Sequence, residues 1–447
     1  MGITGFAADA LRSLSTAQRS FIESLPKAEL HAHLNGSIPI ETLQELAKEY
    51  TIDSDDGMSS TLPPDIQTGL ARLQSGPTLY DINSFFPLFP AIYFLTSTPR
   101  TLARATHAVL DSFLGPTPSP SESTGQLPPS SPQCTYLELR TTPRATTALT
   151  FASYLDVVLA EIELYPPEKA ALIVSIDRRM TVDVVKEIVK LTIDLKEQGR
   201  RVVGVDLCGD PLVSDCGLYY RLSHGVETGH FMVYDIHMGQ YMYFTSDKRV
   251  SIEAGNMHEF APHFKRAKEA GLGITLHIAE TVTNPASETL HFLSWSPDRL
   301  GHATFLNEDA KAIVMRDNIC VEICLTSNLL CKTVSTLEEH HIRHYLRNNH
   351  TIAICVRRLS CFLDTYLLYV LPLDLFTPTP PAFKTDDTLP FRNSLPGEYA
   401  LLLATPPLGL GLSEAEVERV AKMGMSARFG CGSGPGPSDD AVTVPDT

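Results

Sequence analysis

Apolar runs of β type alternate with segments of helical spacing along most of the chain, the runs falling at 28–34, 136–142, 170–177, 202–209, 274–280, 299–304, 321–328 and 351–355. Eight such units in order predict an α/β fold, a (β/α)8 TIM barrel, with its chemistry at the carboxyl ends of the strands. Seven runs carry polar residues at that edge: His31 and His33, Arg140 and Thr142, Asp177, Asp206 with Gly209, His277 and Glu280, His302, and Ser327 with Asn328. The eighth ends in Ile354 and Cys355.

Outside these units the pattern is less regular. Residues 1–26 read as a leader with a short helix, N-capped by Ser15 or Thr16 and stopped at Leu25 and Pro26. Residues 39–50 put Ile40, Leu43, Leu46 and Ala47 on one helical face, and 51–77 read as a polar loop bearing Gly and Pro. Within 80–112, Phe85, Phe86, Phe89, Ile92, Tyr93 and Phe94 form an aromatic stripe at helical spacing, which reads as core. The Pro- and Ser-rich stretch 115–133 reads as a flexible excursion and 431–447 as a disordered tail, leaving 27–430 for the barrel domain.

Two irregular insertions, 213–253 and 356–384, break the rhythm. The first has five tyrosines, three histidines and no clear period. The second, 29 residues long, separates Cys355 from Thr385, Asp386 and Asp387; without it the eighth run would read TIAICTDD and end in carboxylates like its neighbours. Each begins with Val, whose codons start with GT, and ends in a residue, Glu or Lys, that has a codon ending in AG. They have the form of in-frame retained introns after translation, or of genuine long loops, which barrels tolerate.

Composition narrows the function. A net charge of −16 lacks the footprint of a nucleic-acid polymer binder, though a small anion could be held locally. Nine scattered cysteines, odd in number and without C-x-x-C, point to a reducing compartment and away from a cysteine zinc site. The first residues lack a signal-peptide pattern, and Phe6 stands where myristoylation needs Ser or Thr, so a cytoplasmic location is expected. The apolar run 359–376 contains Asp364, Pro372 and Asp374, which argue against a membrane span. A monomer without membrane or polymer partners is expected.

His31 and His33, two apart in an extended chain, leave the same face. With His277 and Asp386 they make a nitrogen and oxygen donor set suited to one Zn2+ with an open position for water. His302, ending the next strand, could take a proton, and Glu280, three residues past His277, could give one to a ring nitrogen. Asp387 would hydrogen-bond the substrate. The inferred reaction is hydrolytic displacement at an electron-poor heteroaromatic carbon.

The order H-A-H-L-N-G, C-G-D, H-I-A-E, G-H-A, S-N and T-D-D resembles the adenosine and AMP deaminase family of metal-dependent amidohydrolases over most of 27–430. Asn35, in place of Asp, and L-E-L-R-T-T-P-R at 137–144 are similar to its adenosine deaminase-like branch, which acts on N6-methyl-AMP. The resemblance implies an amidohydrolase-type barrel with zinc on His31, His33, His277 and Asp386. It implies Glu280 as proton donor, with His302 and Asp387 also catalytic, and substrate contacts at His33, Asn35, Gly209 and Asp387. Thr141, Thr142, Pro143 and Arg144 would meet the nucleotide, Arg144 at its phosphate, and Asp177 is a further candidate contact. Tyr93 stands where the branch often has His. The implied reaction takes N6-methyl-AMP and water to IMP and methylamine. The alternatives are adenosine deamination, or an inactive product if 356–384 is translated. The P-C-x-x-C signature of the cytidine-type zinc deaminases is absent.

Overall fold

A computed structural model describes residues 5–53, 62–75, 88–115, 132–209, 231–235, 240–244, 257–356 and 393–430. The predicted runs become β1 (Ala28–Glu29), β2 (Tyr136–Thr141), β3 (Ala170–Asp177) and β4 (Val202–Cys208). After a two-stranded hairpin, β5 (Phe231–Asp235) and β6 (Gln240–Phe244), come β7 (Gly273–Ile278), β8 (Arg299–His302), β9 (Cys320–Ile323) and β10 (Ile352–Ile354). The eight strands outside the hairpin form one parallel sheet in the order β1-β2-β3-β4-β7-β8-β9-β10. Every residue of β2, β3, β8, β9 and β10 is buried, as strands require when helices cover one face and the barrel interior the other. The fold is the expected (β/α)8 TIM barrel.

The first and last strands are tied by one side chain. Glu29 accepts the His31 N–H on one carboxylate oxygen (2.8 Å) and the Val356 N–H on the other (2.7 Å). Burial pushes this carboxyl up to about 8, against the pull of those two bonds.

Several expected elements differ in extent. β1 is two residues long, because the chain leaves the sheet after Glu29 and touches it again only where His33 bridges to Arg140. The leader holds two helices, Gly5–Ser13 and Thr16–Ser24, the second capped by Ser15 in a reciprocal bond with Gln18. Residues 51–77 are not all loop: Pro64–Ser75 is a helix, with Ile66, Leu70 and Leu73 buried at helical spacing behind an N-terminal proline. Phe89 and Ile92 of the aromatic stripe are core, in the helix Phe89–Leu95; Phe85 and Phe86 lie outside the described residues. The insertion 213–253, read as having no clear period, contains the β5–β6 hairpin, whose strands are rich in Phe, Tyr and Val; its remainder, nearly all of 356–384, and 431–447 lie outside the described residues. So does the apolar run 359–376; among the described residues no helix is long and apolar enough to cross a membrane. Cys134, Cys208, Cys320 and Cys355 are buried thiols outside any disulfide.

The run 321–328 is not strand throughout. β9 ends at Ile323, and Ser327 and Asn328 sit on the short helix Leu325–Leu330. The turn is fixed by Glu398 of the helix Leu395–Leu403, whose carboxylate accepts the Thr326 N–H at 3.2 and 3.3 Å and an amide N–H of Asn393. Burial raises the Glu398 carboxyl to about 7 despite those bonds. Its folded value lies above its unfolded one, so its contribution to stability is complete below about pH 4.5 and is lost as pH rises through about 7. Urea unfolding of the wild type against Glu398→Gln between pH 5 and pH 8 should show the wild type declining by up to about 3 kcal/mol more than the variant, in which Glu29 still titrates. Parallel pH profiles would refute it.

Candidate active site

The site is built on a row of three side-chain positions across adjacent strands. His277 of β7 pairs with Gly301 of β8, and Gly301 with Glu322 of β9, so all three share one face. Glycine in the middle leaves space for the ring of His31. A methyl group at Gly301 would lie 2.8 Å from His31 Cε1, closer than carbon atoms pack. Glu322 of this row holds His31, and Asp206 of β4 holds His277, the row's own imidazole. His31 Nδ1 lies 2.6 Å from Glu322 Oε2, and His277 Nδ1 lies 3.0 Å from both Asp206 Oδ1 and the Leu207 carbonyl.

Those partners can only accept, so each Nδ1 carries the proton and each Nε2 presents a lone pair inward. Burial, and then the adjacent Arg140 guanidinium and the other imidazoles, hold His31 well below the usual histidine range, and so neutral. Burial alone would raise the Asp206 carboxyl, but His277 and Arg140 beside it bring it well below the usual range, and so charged.

Three imidazoles converge. His33 Nε2 is 3.2 Å from His277 Nε2, and the His31 ring centroid is 5.3 Å from that of His33 and 4.6 Å from that of His277. Two nitrogens on one tetrahedral zinc, each at 2.0–2.1 Å, would stand about 3.3 Å apart. His31 Nε2 is buried with no hydrogen-bond partner among the described residues. Imidazoles aimed at one space, one of them held neutral with an orphaned lone pair, fit Zn2+. His31, His277 and His302 have donor atoms within 4.8 Å of one another, as do His33, Asp206 and Cys208. Asp386 and Asp387 lie outside the described residues.

His302 and Glu280 stand beside this cluster. His302 Nε2 is 3.8 Å from Glu280 Oε1, and its ring centroid is 5.0 Å from that of His31. Both reach inward through left-handed backbone, at Ala279 (φ 45°), His302 (φ 63°) and Ala303 (φ 46°). Such conformations in non-glycine residues persist only where the surroundings over-determine them.

The remaining candidates line the strand ends. Asn35 follows His33 on the helix Leu34–Ser37, its Oδ1 buried without a partner among the described residues. Gly209 has φ 110°, and a Cβ there would meet Asp177 Oδ1 at 2.9 Å, so Gly209 and Asp177 adjoin. Asp177 accepts from Arg179 through Nε (2.8 Å) and Nη2 (2.7 Å). Thr141 is bonded to the Tyr154 hydroxyl (2.8 Å), and Thr142 Oγ1 lies 3.7 Å from Cys208 Sγ. Pro143 is buried beside Arg144. Arg144 is itself buried: it donates to the Tyr93 carbonyl (3.2 Å) and Thr96 Oγ1 (2.8 Å), and stacks 4.4 Å from the centre of the Tyr93 ring. Its Nε has no partner among the described residues.

The supporting layer was largely invisible in the sequence. Arg140, read there as an edge residue, lies in the interior, donating to the Leu30 carbonyl at 2.6 Å and to Asp206 at 3.3 Å, and bonding Glu322 as well. Glu322 was not singled out. Its signal is a lone acid inside the apolar run V-E-I-C, a position that only a buried partner makes tolerable.

Known proteins share the fold and part of the sequence. The adenosine deaminase family model matches residues 250–357. An N6-mAMP deaminase from Arabidopsis thaliana is 28% identical, over 92% of this chain and 94% of its own length. An adenosine deaminase-like protein from Drosophila melanogaster is 30% identical, over 78% of this chain and 84% of its own. The crystal structure of Arabidopsis ADAL complexed with IMP superposes with a TM-score of 0.62 at 26% identity, covering 92% of this chain and 94% of that one.

Proposed function

The chain belongs to the adenosine deaminase family, hydrolases acting on the purine C6 amino group, and on that premise we propose that it converts N6-methyl-AMP and water to IMP and methylamine. The observation that carries the choice of a nucleotide is Arg144, a buried guanidinium fixed by Tyr93 and Thr96 with one N–H left over. Similarity to an N6-mAMP deaminase and to an IMP-bound structure supports it. His31, His33 and His277, with Asp386, would hold one Zn2+ per chain. When bound, that ion supplies activated water at neutral pH.

The chain's own groups move the protons. Glu280 gives one to purine N1, and His302 takes one from the attacking water and returns it to the departing amine. The water oxygen ends on C6; as the amine leaves, the proton of the C6 hydroxyl returns to Glu280, so N1 keeps the proton Glu280 gave and methylamine takes the one His302 relays. Asp387 hydrogen-bonds the ring, and His33, Asn35, Tyr93, Asp177 and Gly209 close around the nucleoside. Thr141, Thr142, Pro143 and Arg144 take the phosphate end.

Within the 27–430 domain we read 213–253 and 356–384 as translated introns. The family match begins close to where one ends and stops close to where the other begins.

The test is to express the full chain and a version lacking both segments, measuring zinc and turnover of N6-methyl-AMP and adenosine. The shortened chain should hold about one zinc and prefer the nucleotide, and its Arg144→Ala variant should lose that preference. Full activity of the variant on the monophosphate would remove the nucleotide reading. Zinc and turnover in the full chain equal to the shortened one would remove the intron reading.

A further inference from the structure

Two adjacent histidines outside the donor set, His340 and His341, each hold one end of the site. Their rings stack, with centroids 4.3 Å apart and planes 20° from parallel. His341 Nε2 lies 3.0 Å from the carbonyl oxygen of His302. A carbonyl can only accept, so the proton sits on Nε2 and Nδ1 is bare. His340 accepts the Ile342 N–H on Nδ1 (3.0 Å), which puts its proton on Nε2, facing Asn328 Oδ1 at 3.1 Å. The Asn328 amide donates in turn to Thr304 (3.1 Å) and Thr333 (2.9 Å). The pair therefore clamps the chain just after β8 from two directions. Burial keeps both imidazoles neutral, His341 near 4.

The clamp falls where the backbone needs it. His302 and Ala303 are both left-handed, at an energy of about 1–3 kcal/mol each, and it is from that conformation that the His302 ring meets the imidazole cluster. We propose that His341, braced by His340, is a positioning residue that fixes His302 for proton transfer. The inference rests on the reading of His302 as the group that takes the proton from water.

Kinetics of His341→Ala and His341→Gln in the active form of the chain test it. Ala should lower kcat by about 10- to 100-fold with KM changed less than about 3-fold and zinc unchanged, the range typical when an orienting partner is removed. Gln keeps an N–H donor and should recover most of the loss. Unchanged kcat in Ala, or equal loss in both variants, would overturn the proposal. A wild type without turnover on either substrate would count against His302 as a base. Crystal structures of wild type and His341→Ala would then decide the clamp, since His302 should leave the left-handed region in the variant, and retention of its backbone and ring would refute it. Nitrogen-15 histidine spectra of the wild type need no variant to fold. They should show the Nε2–H tautomer at His341, and the Nδ1–H tautomer would overturn the assignment.

Discussion

Glu322→Ala should lower the unfolding free energy by about 3–5 kcal/mol, the effect of stranding buried charge. Glu322 joins four partners. It lies 2.6 Å from His31 Nδ1, 3.1 Å from Thr275 Oγ1 and 2.8 Å from Arg299 Nε, and it bonds Arg140 as well. All of these groups are buried. Removing the carboxylate leaves two guanidinium groups with one acid each, Asp206 for Arg140 and Glu138 for Arg299. It also frees the His31 ring to turn. Folding free energies of globular domains are about 5–15 kcal/mol, so this one change removes about a fifth or more. Zinc affinity should fall with it by about 10- to 100-fold. Urea unfolding with metal analysis measures both. Glu322→Gln keeps the shape and some of the hydrogen bonds, and should fall between. A Glu322→Ala protein as stable as the wild type, with normal zinc, would show that the network is not what holds His31.

The second large effect is expected at Gly301. Gly301→Ala adds one methyl group 2.8 Å from His31 Cε1 and 3.4 Å from His277 Cγ, so the His31 ring must move. It has nowhere close to go, since its other edge is bonded to Glu322. A displacement near 1 Å at a reacting centre lowers rates by on the order of 100-fold. The Ala variant should fold, because its strand neighbours are otherwise untouched, yet bind zinc weakly and turn over at least about 100-fold more slowly. Equilibrium dialysis against zinc with steady-state assay checks this. Normal zinc affinity in the variant would mean that the His31 ring can shift without leaving the donor set.

How much of this was readable in the chain depends on distance along it. Period and apolar runs located all eight barrel strands, because a strand buried on both faces is nearly all apolar, and that is a local property. The Ser15 cap was readable for the same reason, since donor and acceptor lie three residues apart. The helix Pro64–Ser75 was missed because Gly57, Pro63, Gly69, Gly76 and Pro77 punctuate the stretch around its buried Ile66, Leu70 and Leu73. The end of β9 was missed because a carboxylate from residue 398 decides where it stops.

The sequence by itself determined the kind of chemistry. Imidazoles two apart on one extended segment, a third imidazole at another strand end, and acids nearby can be listed without coordinates, and their types limit what they can do. Only the tertiary structure decided how His31, His33 and His277 are held. Their orienting partners, Glu322, Asp206 and Arg140, come from other strands, between 70 and 300 residues away. A ring nitrogen becomes a donor or an acceptor according to what its opposite nitrogen touches, and that contact exists only once the barrel brings the strands together.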